Sequence, residues 1–495
     1  MSSVIKKFKS CNLRNMICIV LLVSSFTVHS QTEPKKVFIH YMGWFGDGIY
    51  GRHWICGQAH RPLIGYYNSQ NWSTEMYQIL ISWSCGIDGL IINVKDDYDA
   101  QTSDQIIQTI RRIRDIDSVN FKYNFTISYD DQGMSDIVTA ETKFTYLRDH
   151  ILTEPVNFLR YNHIPAIFVF NYAGQYLTAQ NYNTALNAVF PANRPKLIWN
   201  EIDASALGYA NSFFPWVQPG GQWNGTNWGQ TYLQWFYPTI AGYNAQLDFA
   251  TGGVWPGFDD RPNSCWGSSR LIERRNDTVY NSTWSFVNNY SGSLPLKWVV
   301  IETWNDWNEG TEIEPSIESG YQYLKSTITN INTFKDTTIS TDTAKFEVAG
   351  KIYTAADAIE KSNVDSALYY PLLERSVSDF LQGKFNDSRV NADSINQHLL
   401  TNINNARGNV TGLLLETFPN PAKSLVQIRI TMSSSSKVEL NILDINGRLI
   451  ETIHPGFLPA GDNVIEWNTT NLKRGMYFFL LKTDEDQMAK KIILN

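Results

Sequence analysis

Two carboxylates stand three residues apart in Thr303-Trp304-Asn305-Asp306-Trp307-Asn308-Glu309-Gly310, directly after the apolar, β-branched run Lys297 to Ile301. Hydrolysis of a glycosidic bond asks for such a pair. One carboxyl is protonated and donates to the leaving oxygen, while the other is ionised and handles water or a sugar hydroxyl. Repulsion between like charges supplies the split, since it raises one pKa above the other and leaves one group protonated near neutrality. The same residues also fit a helix start, with Asn305 or Asp306 capping and Glu309 completing a capping box. The run before them, bounded by Pro295, reads as a short buried strand. Asp306 and Glu309 then lie at a strand's C-terminal end, where parallel α/β proteins bind ligands and do chemistry.

Other chemistries find little support. The eight histidines form no HxH or HExxH arrangement, so no metal is expected. No P-loop calls for a cofactor, and no GxSxG elbow speaks for an esterase or peptidase. A net charge of -7 without a basic stripe argues against nucleic acid. Fifteen of the sixteen tryptophans fall between Trp44 and Trp307, and the Gly- and Asn-rich stretch holding Trp216, Trp223, Trp228, Trp235 and Trp255 reads as exposed loop. Flat aromatic faces there suit the C–H faces of sugar rings.

The elements that must position these groups are legible as eight apolar runs, at 37–45, 86–94, 121–130, 166–172, 196–201, 213–217, 249–257 and 297–304. Helical periodicity separates them, as in Ser103 to Ile116, with Ser103 the expected cap. Strand and helix alternating eight times imply a (β/α)₈ TIM barrel over residues 35–335. Polar or aromatic residues follow the runs again and again, and a barrel gathers them on one rim. The candidates for gripping sugar are Tyr41, Trp44, Asp97, Tyr129, Asp130, Asn171, Glu201, Asp259, Trp304 and Glu314, with Asp130 and Asp259 preferred because a carboxylate accepts two vicinal hydroxyls.

Around the barrel the chain changes character. Lysines and Arg14, an apolar stretch from Met16 to Val28 and the tripeptide ending at Ser30 read as a signal peptide over residues 1–30, too short in its apolar core for a membrane span in the mature protein. Cys56, Cys85 and Cys265 remain beyond it. Three cysteines make no disulfide framework, and one bridge with a free thiol is compatible with the count. Residues 336–410 carry helical patterns without a catalytic constellation and read as a small helical module or spacer. From 413 to 495 alternating strands, with Asn446-Gly447 as a hairpin turn, imply an all-β sandwich.

Phe418-Pro419-Asn420-Pro421, VQIRI, KVELNILDINGRLI, the strand from Gly475 to Phe478 and the terminal Lys490 to Ile493 closely resemble the C-terminal sorting domain of the type IX secretion system. That resemblance implies a Bacteroidetes-type bacterium, the secretion machinery as partner, and a secreted or surface location. Over residues 35–330, HYMGWF, GYYNS, GIDGLIINV, HIPAIFVFN, PGFDD and TWNDWNEGTEIEP are similar to glycoside hydrolase families 71 and 99. The resemblance implies hydrolysis of an α-linked glucan or mannan, with Glu309 as general acid and Asp306 as base. Asp306 stands where family 99 usually has Glu. Family 71 is regarded as inverting, whereas family 99 is thought to retain through an epoxide formed by the 2-hydroxyl. A surface carbohydrate-binding protein without turnover is the alternative on the same barrel.

Overall fold

The computed structural model describes residues 33–153, 156–171, 177–218, 228–292, 294, 296–361, 369–407, 413–432, 435–444, 448–483 and 487–494. The signal peptide, Trp223 and the Asn446-Gly447 turn lie outside the described residues. The chain divides into two compact units, Met1–Ala392 and Asp393–Asn495.

The first unit is built on eight strands: β1 (Lys36–Met42), β2 (Gly89–Val94), β3 (Asn124–Asp130), β4 (Ile164–Phe170), β5 (Lys196–Asn200), β6 (Ser212–Phe214), β7 (Ala250–Val254) and β8 (Leu296–Ile301). Hydrogen bonding runs in the order β6-β5-β4-β3-β2-β1-β8-β7, every neighbour parallel. The seam between β6 and β7 is closed by single contacts. Asp248 N–H donates to the Asn211 carbonyl at 2.9 Å, and the Ser212 and Thr251 hydroxyls meet at 2.9 Å. The result is a nearly closed eight-stranded barrel, and each strand falls within or against one of the eight apolar runs. They read as continuous apolar runs because barrel strands are buried on both faces.

Helices α1 (Trp72–Ser84), α2 (Asp97–Ile116), α3 (Ile137–Tyr146), α4 (Ala179–Val189), α5 (Gln230–Gly242), α6 (Thr278–Tyr290) and α7 (Gln322–Lys335) surround the strands, and a short 3₁₀ turn, Ala204–Ala206, takes the helix position between β5 and β6. Helix α2 starts earlier than its apolar stripe suggests. Asp96 caps it, accepting from Tyr98 N–H at 3.0 Å and Asp99 N–H at 3.2 Å. Ser103 is therefore interior, its hydroxyl bonded back to the Ala100 carbonyl at 2.7 Å. The first turns are polar, so a stripe of Ile residues marks only the later part of the helix.

Helices α8 (Ala344–Lys361), α9 (Tyr370–Leu381) and α10 (Phe385–Arg407) follow. The segment expected as a spacer is packed onto the barrel through α8. Asn71, ahead of α1, makes no side-chain cap, and Glu360 of α8 supplies one instead, accepting from Trp72 N–H at 3.1 Å and Ser73 N–H at 3.2 Å. A carboxylate at a helix N-terminus also suits the helix dipole.

In the second unit, β9 (Leu413–Phe418), β10 (Leu425–Met432) and β13 (Gly461–Asn468) form one antiparallel sheet. A second sheet runs β12 (Leu449–Leu458), β11 (Ser436–Asp444), β14 (Gly475–Lys482), β15 (Gln487–Leu494). Alternate residues of both, among them Ile428, Ile430, Leu440, Ile442, Trp467 and Phe479, share one core.

Candidate active site

Residues beyond β8 make a tight turn rather than a helix. Asn305 locks this turn to the end of β1. Its carbonyl oxygen accepts from Met42 N–H at 2.8 Å, and its amide donates to the Met42 carbonyl at 2.9 Å. Asp306 is buried, its own N–H donating to the Thr303 hydroxyl at 2.8 Å. The Glu309 N–H donates to Asp306 Oδ1 at 3.1 Å, so the capping role foreseen for Asp306 is fulfilled by a turn that contains both acids. Gly310 follows with φ 59°, and a Cβ there would lie 2.9 Å from Asp259 N. Only glycine fits a position that is both left-handed and this close to backbone.

Burial is the main force on both acids. It pushes the Asp306 carboxyl well above the usual carboxylate range, and the nearby Glu309 charge pushes it further. Burial likewise pushes Glu309 up to about 7. There the Arg270 guanidinium and the Trp266 indole N–H oppose the rise, and the Asp260 and Asp130 carboxylates add to it. Two such groups titrate as a pair, and the pair holds a proton near neutrality.

The opposing cation is held by an acid that sequence reading passed over. Asp260, fully buried, accepts from the Arg270 backbone at 2.6 Å and from Arg270 Nε at 2.8 Å, while Ser268 N–H donates to it at 3.0 Å. This closes the hairpin between Phe258–Asp259 and Leu271–Ile272 beside the catalytic turn. The preferred Asp259 is engaged elsewhere. Its carboxylate is gripped by Arg261 Nε at 2.8 Å and a terminal nitrogen at 2.7 Å, and its N–H donates to the Glu309 carbonyl at 2.7 Å. A carboxylate already bidentate to guanidinium has little capacity left for vicinal hydroxyls.

The remaining candidates separate by strand parity. Asp130 ends β3 within electrostatic reach of Glu309, while Tyr129 before it is buried against Phe144 of α3. Tyr41 likewise turns outward, its hydroxyl donating to Gln78 of α1 at 2.6 Å. Glu314 sits in the same buried network, accepting from Gln78 at 2.8 Å, Tyr67 at 2.8 Å and Trp307 at 3.2 Å, and burial pushes it up to about 8. Trp304 is wholly buried and Asp97 is exposed at the start of α2. These five residues support the site from behind or lie away from it. Asn171 and Glu201 stand just past β4 and β5, partly buried, with the Gln218 amide donating to Glu201. Trp44 is partly buried and stacked on His53 at 4.7 Å between ring centres. The tryptophan stretch is less open than expected: Trp255 is fully buried, its indole N–H on the Trp228 carbonyl at 2.9 Å, while Trp235 is 48% exposed.

Further buried groups complete the surroundings. Glu312, buried, is paired with His60 at 2.8 Å and Arg274 at 2.6 Å. His40 of β1 points into the barrel and meets Glu302 at 2.7 Å. A disulfide joins Cys56 to Cys265 across 209 residues, and Cys85 is a buried free thiol pushed up to about 12 by burial. Among the described residues no cluster of His, Cys, Asp and Glu has the arrangement of a metal site, and no helix is long and apolar enough to cross a membrane.

Comparison with known proteins places this geometry. Residues 215–327 match the family model described as Glycosyltransferase WbsX, and residues 416–495 match the secretion system C-terminal sorting domain. That tail marks the protein for secretion or the cell surface. No curated protein matches the chain significantly. Among solved structures, the family 99 endo-α-mannosidase of Bacteroides thetaiotaomicron aligns with a TM-score of 0.50 at 15% identity, over 61% of this chain and 97% of that one. A structure described as a glycoside hydrolase-like protein aligns with TM-score 0.50 and 15% identity, over 61% and 94%. The barrel therefore has the fold of family 99 glycoside hydrolases.

Proposed function

We propose that this protein is an exported glycoside hydrolase cleaving α-linked glycans of the α-1,3-glucan or α-mannan type, with Glu309 as general acid and Asp306 as base. The observation that carries the reading is the pair itself: two acids of raised pKa on one turn, at the strand end where barrel enzymes work. Glu309 is the more open of the two and lies in the field of Asp130 and Arg270, which supports reading it as the acid that reaches a leaving oxygen. Asp306 lies deeper and handles the nucleophilic side. Asp130, Asn171, Glu201 and Trp44 are the proposed sugar contacts on the rim. The fold shared with an endo-α-mannosidase supports a glycosidase.

The description of the matching family model supports a second reading, transfer of the glycosyl group to a sugar rather than to water. Incubation of the purified protein with α-1,3-glucan and yeast α-mannan, following reducing ends, tests the first. Product NMR reports inversion or retention. Longer oligosaccharides in place of new reducing ends would support transfer, and binding without any product would support the carbohydrate-binding alternative.

A further inference from the structure

One buried hydroxyl behind the acid turn reaches both neighbours of Asp306. Tyr67 belongs to the GYYNS stretch ahead of α1, with its ring against Phe45 at 6.1 Å and Trp54 at 5.2 Å between centres. Asn305 Nδ2 and Trp307 Nε1 each donate to its oxygen at 3.2 Å, and its own proton goes to Glu314 Oε2 at 2.8 Å. The direction of every bond is forced. An indole nitrogen can only donate, and Asn305 must present its oxygen to Met42 N–H, which turns its amide hydrogens to the Met42 carbonyl and Tyr67. The Tyr67 oxygen therefore spends its lone pairs on the turn, and its single proton needs an acceptor on the other side. Glu314 is that acceptor, and it is held in turn by Gln78 of α1, whose amide donates to Oε1 at 2.8 Å and whose oxygen accepts from Tyr41 at 2.6 Å.

We propose that Tyr67 is the positioning residue of the acid pair: its hydroxyl, anchored on Glu314, fixes Asn305 and Trp307 and through them the geometry of the turn carrying Asp306 and Glu309. This rests on the hydrolase reading. Tyr67, Gln78, Asn305, Trp307 and Glu314 are all buried, so the network has little slack, and loss of one member leaves its partners to shift. Tyr67 acts through the turn and not on the sugar. Its loss should change rate rather than binding, because a catalytic group displaced by about 1 Å can cost on the order of 10²-fold.

Tyr67→Phe keeps the ring and removes the hydroxyl. On yeast α-mannan or α-1,3-glucan, whichever the wild type hydrolyses, it should lower kcat about 10- to 100-fold with KM within about twofold, in a protein that still melts cooperatively. In an Asp306→Asn background the same substitution should change the residual kcat by less than about twofold, since residues acting through one another are not additive. Hydrogen exchange over the segment Trp304 to Gly310 reads the link without turnover. Tyr67→Phe should speed it about fivefold, the factor for one hydrogen bond, while exchange in β8 stays as in the wild type. An unmoved kcat, a rise in KM in place of the fall in kcat, an equal loss in the Asp306→Asn background or unmoved exchange overturns the proposal. A wild type that releases no product overturns the hydrolase reading instead, and the exchange comparison still decides whether Tyr67 holds the turn.

Discussion

The backbone N–H of Glu309 donates to the Oδ1 of Asp306 at 3.1 Å, so one acid is tied by its main chain to the side chain of the other. Their separation is fixed by a four-residue turn, and Asn305 fastens that turn to β1. Because burial raises both and their charges repel, activity should follow a bell-shaped pH profile whose falling limb lies near 7, where Glu309 loses its proton. Asp130→Asn removes one of the charges raising Glu309 and should shift that limb to lower pH. Initial rates between pH 4 and 9 on the hydrolysed glycan check this, and a limb unmoved by the substitution contradicts it.

Asp259 and Asp260 are neighbours with opposite prospects. Asp260 is fully buried with three protein donors, and removing it leaves Arg270 without its partner, a loss on the order of 3 kcal/mol. Asp260→Asn should therefore lower the melting temperature by several degrees and depress activity. Asp259→Asn releases only the exposed Arg261 and should leave the melting temperature within a few degrees and activity within about twofold, since such pairs contribute roughly 0–1 kcal/mol. Thermal unfolding of the two variants side by side decides the point.

Stability should fall as the solution becomes alkaline. Glu314 is raised from 4.5 to about 8 in the folded chain, so between these values the native state binds more protons than the unfolded one. By linkage the unfolding free energy then decreases with rising pH, with Glu309 and Asp306 acting in the same direction. The melting temperature should be higher at pH 5 than at pH 8, and Glu314→Gln should flatten the dependence. A rise toward pH 8 in the wild type would contradict the burial of Glu314 in neutral form.

The Cys56–Cys265 bridge closes a loop of 209 residues and fixes the segments beside the acids. The double variant Cys56→Ser/Cys265→Ser should cost about 2–5 kcal/mol of stability. Cys85 is buried with its thiol pushed up to about 12, so thiolate is scarce and inaccessible. In the protein from residue 31 onward, a thiol reagent should find no reactive group in the native state and one after denaturation in guanidinium. Two or more native thiols would show that the bridge does not form.

The sequence was most legible where one physical cause dominates. Strands such as Leu90–Val94 and Val299–Ile301 are buried on both faces, and their apolar runs announced the barrel directly. Asp306 and Glu309 were visible because they are close in sequence. Residues needing parity or distant partners were not: Tyr41 and Tyr129 alternate outward while His40 and Asp130 alternate inward, and nothing local distinguishes Asp259 from Asp260. The Cys56–Cys265 pairing and the Glu314–Tyr67–Gln78 network join segments more than 200 residues apart, which only the closed barrel brings together.

The central claim is that Glu309 and Asp306 cleave a glycosidic bond. Reducing-end release from α-1,3-glucan and yeast α-mannan by wild type, Glu309→Gln and Asp306→Asn, each confirmed as folded by its melting temperature, tests it most directly. The account predicts turnover by the wild type and a fall of roughly 10²–10⁴-fold for each variant, the usual contribution of a positioned acid or base. Undiminished turnover in either variant would contradict it.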